Sequence, residues 1–377
     1  MNLRRVRAVA RKEFLHVLRD PRSLAMAIAI PMLMLILFGY ALTLDVDNVP
    51  LVVWDQSRTG ASRELVSRFD GSPYFSLQDY VDNYRDLEWA IDTRRAMVAL
   101  VIPVEFGRQI AAGRNAAVQL IVDGSDANTA TIAIGYAEVI MQIYTEEFTN
   151  EQLRQAGLPP LRIPLDVRSR VWFNPDLESR NYIIPGLIAV IMMVIAALLT
   201  SLTVAREWER GTMEQLISTP VKGPELILGK LIPYFTVGML DVLLAVLMGE
   251  FLFRVPLRGN VALLFGMSAV FLAGVLSWGM LISIIAKSQL LASQIAMTTT
   301  FLPSFLLSGF MFSIANMPKV IQWITYIVPA RYFVALLKGI YLKGVGLEIL
   351  AGEAILLAVY GALMVLLANV RFKKKLV

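Results

Sequence analysis

Six stretches of this sequence, 24–43, 182–204, 226–253, 261–286, 291–312 and 349–370, are apolar for twenty residues or more. At about 1.5 Å of rise per residue, twenty helical residues cover the roughly 30 Å hydrocarbon core of a bilayer. No water is present at that depth to satisfy stray amides, so each run is forced into helix. The sequence therefore predicts an α-helical polytopic membrane protein with six transmembrane helices. Only 17% of the residues are charged, against about 25% in soluble domains. Pro31 is tolerable inside a membrane helix, and Pro233 and Pro303 should bend theirs.

Residues 45–181 are of a different character, polar and turn-rich. Strands are expected at Val49–Trp54, Tyr74–Tyr80, Ala96–Ile102, Ala116–Val122 and Asp166–Phe173. Helices are expected between them at Arg58–Phe69, Tyr84–Thr93 and Val104–Ala112, followed by a long one at Ala127–Gln155. Alternating strand and helix over this length predicts an α/β domain with its own core, inserted between the first and second spans. Asp123 and Asp126 stand close enough to suggest a metal or catalytic pair. A turn followed by an N-cap accounts for them without a second acidic cluster.

Orientation follows from the basic residues of the short connections. Seven precede Ala25, and Arg206, Arg210, Lys222, Lys230, Lys287 and four in the RFKKK tail fall on the same side. The opposite side holds Arg254, Arg258, Lys319, Arg331, Lys338 and Lys343. The positive-inside rule places both termini in the cytoplasm and the α/β insert outside. Residues 1–22 read as a cytoplasmic amphipathic helix, with Leu3, Val6, Ala10, Phe14, Val17 and Leu18 on one face. They do not suit a cleaved signal, since the basic region is too long and no small-x-small site follows. His16, the only histidine, offers no metal cluster.

The segment Arg206–Pro220, REWERGTMEQLISTP, lies between the second and third spans (residues 23–44 being the first). Gly211 should end the arriving helix. Thr212 and Gln215 form a capping-box pattern, and Glu214 suits the positive end of the new helix. Pro220 disfavours helix at Thr219. The result is a helix of about two turns with Met213, Leu216 and Ile217 on one face, too short to be stable without a surface to lie on. An ordinary interfacial loop would account for these features.

REWERGTMEQLISTPVKGPELILGK also resembles the cytoplasmic coupling segment of ABC-2 type transporter permeases, the membrane subunits of ATP-driven exporters. Four further strings resemble the same family: RKEFLHVLRDPR near the start, VDGSDANTA and WFNPDLESRNYIIPG in the insert, and PSFLLSGFMFSIANMPKVIQWITYIVPARYFVALLKGIYLKG near the end. The resemblance covers nearly the whole chain. It implies a coupling helix within 206–222 that docks on an ATPase subunit. There Met213, Leu216 and Ile217 would bury into the ATPase, and Arg206, Glu207, Glu209 and Arg210 would form the polar rim. It also implies that 313–346, too broken by Pro318, Pro329, Arg331 and glycines for a clean span, is an outer gate of short re-entrant helices ending at Lys343-Gly344. Ser313 departs from the pattern, where a proline is expected after the phenylalanine.

Ionisable residues inside spans are functional suspects. Asp241 lies near the middle of the third span, where it either contacts a cationic substrate or bonds to Gln294, Thr298, Thr299 or Thr300 of the fifth. ATP hydrolysis is not expected of this chain. GPELILGK is a near miss for a phosphate loop: its glycines are spaced one residue too far apart, and Leu231 stands where Ser or Thr should hold magnesium. ATP and magnesium would be used by the partner ATPase. The implied partners are that ATPase, a second permease subunit and the bilayer of a bacterial inner membrane. A periplasmic adaptor protein is compatible, while nucleic acid is not implied. A membrane-anchored receptor whose outer domain binds a ligand is the alternative from another class, but it leaves the gate-like segment unexplained.

Overall fold

The computed structural model describes residues 1–42, 46–159, 170–175 and 178–372. The chain divides into two compact units, Leu44–Ser169 and the remainder, Met1–Thr43 with Arg170–Val377.

In the smaller unit, β1 (Val49–Asp55), α4 (Gly60–Asp70), β2 (Phe75–Tyr80), α5 (Tyr84–Asp92), β3 (Val98–Ile102), α6 (Phe106–Ala111), β4 (Gln119–Val122) and α7 (Ala127–Gln155) follow three helices of the larger unit. The sheet order is β2-β1-β3-β4, with β1 parallel to both neighbours and β4 antiparallel to β3. Successive side chains of a strand point to opposite faces, and the sequence uses both. Leu51, Val53, Leu100 and Ile102 pack with Leu65 and Phe69 of α4 and Ala133 and Ala137 of α7. Val52, Ala99 and Val101 pack with Leu87 and Ala90 of α5. Asp126 caps α7, its carboxylate accepting from the amides of Asn128 and Thr129.

The expected strand Asp166–Phe173 is not found where it can be assessed. Residues 166–169 lie outside the described residues, and Arg170–Phe173 is not a strand. Phe173 has φ +74°, a left-handed conformation incompatible with an extended ladder.

The larger unit begins with α1 (Leu3–Arg19), α2 (Pro21–Leu24), a π turn at Ala25–Ala29 and α3 (Ile30–Ala41). It continues with α8 (Ser179–Glu209), α9 (Thr212–Ser218), α10 (Gly223–Leu247) lengthened by a π turn to Leu252, α11 (Val261–Ala286) and α12 (Gln289–Leu307). After a 3₁₀ turn at Ile314–Asn316 come α13 (Lys319–Thr325), α14 (Pro329–Lys338) with a π turn to Lys343, and α15 (Leu347–Arg371). Among the described residues, five helices, α8, α10, α11, α12 and α15, are long and apolar enough to cross a membrane. Counting α13 with α14 as one broken span makes six. The first apolar run differs from a single twenty-residue span: its apolar helix covers Ala27–Ala41 and is shorter than these five.

The core is built around α8, which is buried at every position from Ile183 to Ala197. Small residues let its neighbours approach, as is usual where helices pack in lipid. A Cβ at Gly279 of α11 would collide with Thr200 Oγ1 and the Ala197 carbonyl. Gly274 of α11 also meets Gly361 of α15, where an added Cβ would lie 3.0 Å from the Gly361 Cα. By contrast, most of α12 and α15 is not covered by the rest of the chain.

Candidate functional site

At the end of α8, Gly211 adopts φ +70° and its amide donates to the Trp208 carbonyl, 3.1 Å away. A left-handed residue costs an ordinary side chain about 1–2 kcal/mol, so glycine belongs here. The chain turns sharply into α9. The capping box expected of Thr212 and Gln215 does not form. Gly211 occupies the N-cap and has no side chain to offer, while Thr212 is already helical and its hydroxyl donates back to the Glu207 carbonyl. The far end of α9 is closed by the Thr219 hydroxyl on the Leu216 carbonyl, and Arg5 donates to the Pro220 carbonyl.

Met213 is 2% exposed, seated on Val204, Leu226, Ile227, Met280 and Phe372. It is the rivet under α9 and does not point outward as expected for a docking residue. Leu216 and Ile217 are half-buried at the edge of a cleft shared with Val221 and Phe372. Arg210, Glu214 and Gln215 are exposed.

Of the other residues expected to form a polar rim, Glu207 is buried and Arg206 half-buried, while Glu209 stays exposed. Lys230, on α10, is 1% exposed. Its ammonium lies 2.9 Å from Glu207 Oε1 of α8 and 3.4 Å from both carboxylate oxygens of Glu13 on α1. Lys12 reaches Glu207 Oε1 from the rim at 3.2 Å, and the Tyr234 hydroxyl donates to Glu13 at 3.5 Å. Glu207 Oε2 has no hydrogen-bond partner among the described residues. Buried charges are tolerable only when paired, so this knot obliges three helices to stay together. Arg206 contacts Gln289 and His16, each at 3.3 Å, and Glu209 accepts from the Gln289 amide at 2.7 Å. Lys287 lies 4.9 Å over the Trp208 ring. His16 is thus half-buried at this junction.

Contacts of α1 advance along α10 in step. Asn2 donates to Glu225, Val6 and Val9 lie against Gly229, and Glu13 reaches Lys230 and Tyr234. One signal in the sequence pointed to the knot: Glu13 sits on the apolar stripe of α1 between Val6 and Val17, where a carboxylate needs a counter-charge.

Just above the knot, the amides of Val204 and Ala205 both donate to the Ser283 hydroxyl of α11 at 2.9 Å. This hydroxyl ties the last turns of α8 to α11.

Asp241 is 2% exposed, and its Oδ1 has no hydrogen-bond partner among the described residues. The bonds expected from α12 are not made. Thr299 and Thr300 donate to carbonyls of their own helix, and Gln294 and Thr298 are exposed on its open face. The substrate-path residues are therefore not one cluster in this chain: one is internal, two are on the surface.

In the segment 313–346, α13 meets α14 with its π turn at 86°, the shape of a broken span or a re-entrant loop. Pro318 caps α13 and Pro329 opens α14, positions where a missing amide costs nothing. Arg331 donates to the Gln322 carbonyl and the Thr325 hydroxyl and lies 3.7 Å over the Tyr326 ring. Lys343 stands 6.0 Å over Phe173. Lys338, not singled out from the sequence, is more closely held, 3.0 Å from the Gly309 carbonyl and 3.3 Å over the Tyr182 ring.

Residues 21–370 match the family described as ABC-2 family transporter protein. The chain is 43% identical to the probable multidrug ABC transporter permease YbhS of Escherichia coli over 91% of its length and 90% of that protein's. It is 32% identical to the probable multidrug ABC transporter permease YbhR of the same organism over 92% of each. It is 26% identical to the inner membrane transport permease YhhJ of Escherichia coli over 91% of this chain and 92% of that one.

Proposed function

The chain belongs to the ABC-2 transporter family, and on that premise we propose that α9 is the handle by which a separate ATPase moves the helix bundle. It is a multi-pass permease subunit of an ABC exporter in the inner membrane, working with ABC ATPase subunits. The observation that carries the proposal is the mounting of α9. It is set off from α8 by a left-handed glycine, riveted from below by Met213, and backed by the Lys230–Glu207–Glu13 knot. A force on α9 is thereby shared among α8, α10 and α1, since bonds tie each to the others.

In this scheme Leu216 and Ile217 enter a groove of the ATPase, with Arg210, Glu214 and Gln215 at its rim. ATP and magnesium are consumed by the ATPase, and this chain does no chemistry. Two permease subunits, identical or related, pair in the membrane. Closure of the ATPases draws on α8 and α10, and a path at the subunit interface opens outward past α13 and α14. Gln294 and Thr298, on the open face of α12, line it, and Asp241 acts from within the bundle. The α/β unit lies outside the cytoplasm, positioned for an adaptor protein. The substrates are drugs or other amphipathic compounds, in keeping with the names of the YbhS and YbhR proteins.

The chain contains no cysteine, so Gln215→Cys introduces a single label site. Modification by an impermeant maleimide only after the cytoplasmic side is opened supports this placement; labelling of intact cells from outside contradicts it.

A further inference from the structure

The outward side of α1 carries a stripe that the coupling scheme does not use. Ala8, Arg11, Lys12, Leu15, His16 and Arg19 follow one another at helical spacing and line a shallow groove. Lys12 is engaged by Glu207, and His16 faces the Arg206 guanidinium at 3.3 Å. No ion pair joins Arg11 or Arg19 to an acid among the described residues. Glu13 and Glu207 are both engaged by Lys230, and Glu207 also by Lys12 of the groove itself. The groove therefore keeps two arginines, Arg11 and Arg19, that no described acid pairs.

Beside it, Phe14, Leu15 and Leu18 are exposed. Large apolar side chains on the same turns as unpartnered arginines are the mark of a helix at a membrane surface, where the charges meet headgroups and the hydrocarbon meets acyl chains. The connection supports that depth. Only Asp20 separates α1 from α2, and the apolar helix Ala27–Ala41 begins eight residues after Arg19.

We infer that this groove binds the phosphate headgroup of an anionic phospholipid, with Arg11 and Arg19 on the phosphate and Leu15 and Leu18 along an acyl chain. The inference rests on the proposed function only in placing α1 at the membrane surface. A lipid bound there would hold α1 against α10 from outside while Glu13 holds it from inside. A soluble acidic partner would meet the arginines but would leave Phe14 and Leu18 without cover.

The test uses the full-length protein, purified and titrated with phosphatidylglycerol or phosphatidylcholine. Retained lipid is read by native mass spectrometry, and the unfolding midpoint is followed in parallel. Wild type is expected to retain phosphatidylglycerol preferentially. Each basic residue at an anionic surface is worth about 1 kcal/mol, so Arg11→Ala/Arg19→Ala is expected to bind it roughly thirtyfold more weakly. Arg11→Lys/Arg19→Lys should keep most of the affinity, and its preference decides the matter should the alanine pair not fold.

Equal retention of the two lipids by wild type, or unchanged affinity in the alanine pair, overturns the proposal. Inorganic phosphate that displaces phosphatidylglycerol at millimolar concentration would assign the groove to a soluble phosphate instead. Loss of ATPase co-purification with lipid retention intact would assign the face to the ATPase. Because lipid retention is read without the ATPase, its failure is distinct from a failure of the coupling scheme.

Discussion

The Lys230 ammonium and the Glu207 carboxylate, 2.9 Å apart, join α10 to the last turns of α8 directly behind α9. Glu13 of α1 completes the contact from the third side. The contact directly behind α9 is therefore made by buried groups.

Removing the cation alone leaves two carboxylates facing each other in a buried site. Breaking a buried ion pair in this way costs about 3–5 kcal/mol. Lys230→Met is expected to lower the unfolding midpoint sharply and to reduce yield. Adding Glu13→Gln and Glu207→Gln should recover most of the loss, since no buried charge is then left unpaired and Lys12, which loses Glu207, is exposed. A triple variant no more stable than Lys230→Met would show that the charges are not what the site depends on.

Ser283→Ala strips the acceptor from the Val204 and Ala205 amides. A buried polar group left without a partner costs about 1–3 kcal/mol. Thermal unfolding should shift by that order, and hydrogen exchange at the two amides should accelerate while the rest of α8 stays protected. Unaltered exchange at both positions would contradict a contact held by Ser283.

Gly211→Ala forces a side chain into a left-handed conformation at a cost of about 1–2 kcal/mol. The predicted outcome is an intact bundle with weakened coupling, read as reduced substrate-stimulated ATPase activity at normal expression. Gly211→Asn should be milder, since asparagine tolerates this conformation best after glycine. Equal activity in the alanine and asparagine variants, both matching wild type, would remove the turn from the account.

For Asp241, whose Oδ1 lacks a partner in the bundle, Asp241→Asn is expected to reduce export of cationic compounds while sparing neutral ones. Export measured compound by compound in a strain lacking the native exporter is the check. Equal behaviour toward cations and neutrals would make the residue structural.

In the α/β unit, hydrogen bonds from the Thr129 side chain and backbone hold the Asp126 carboxyl below its ordinary range. A lowered value means that the ionised form is favoured by the fold. The cap is at full strength above the ordinary aspartate value of about 3.9 and weakens as pH falls through the lower, folded one. Hydrogen exchange in the first turn of α7 should become faster at pH 3 than expected from its behaviour at pH 6, and Asp126→Ala should abolish that difference.

Much of this architecture is written in local pattern. Asp126 before a long helical period marks the start of α7, and the alternation of Leu51, Val52 and Val53 marks a strand buried on both faces. Gly211 likewise announces the end of α8. The capping box failed because the pattern S/T-x-x-Q does not reveal which residue becomes the N-cap. That was settled by the left-handed turn, which moved Thr212 inside the helix. The ion knot was hidden for a different reason. Glu13 and Lys230 are 217 positions apart, and Lys230 sits in a string that invites comparison with a phosphate loop. The partners expected for Asp241 failed because threonine in a membrane helix readily bonds its own preceding carbonyl, as Thr299 and Thr300 do. Which face of α9 is outward was also beyond the pattern, since Met213, Leu216 and Ile217 look alike until Met213 is found seated on Phe372.

The central claim is that an ATPase grips this chain through the outward side of α9. Leu216→Glu places a charge at the half-buried edge of that helix, beside the cluster that seats Met213. The account predicts a normally folded permease from which the ATPase no longer co-purifies and whose substrate no longer stimulates ATP hydrolysis. A folded Leu216→Glu permease that retains both its ATPase and its stimulation would contradict it.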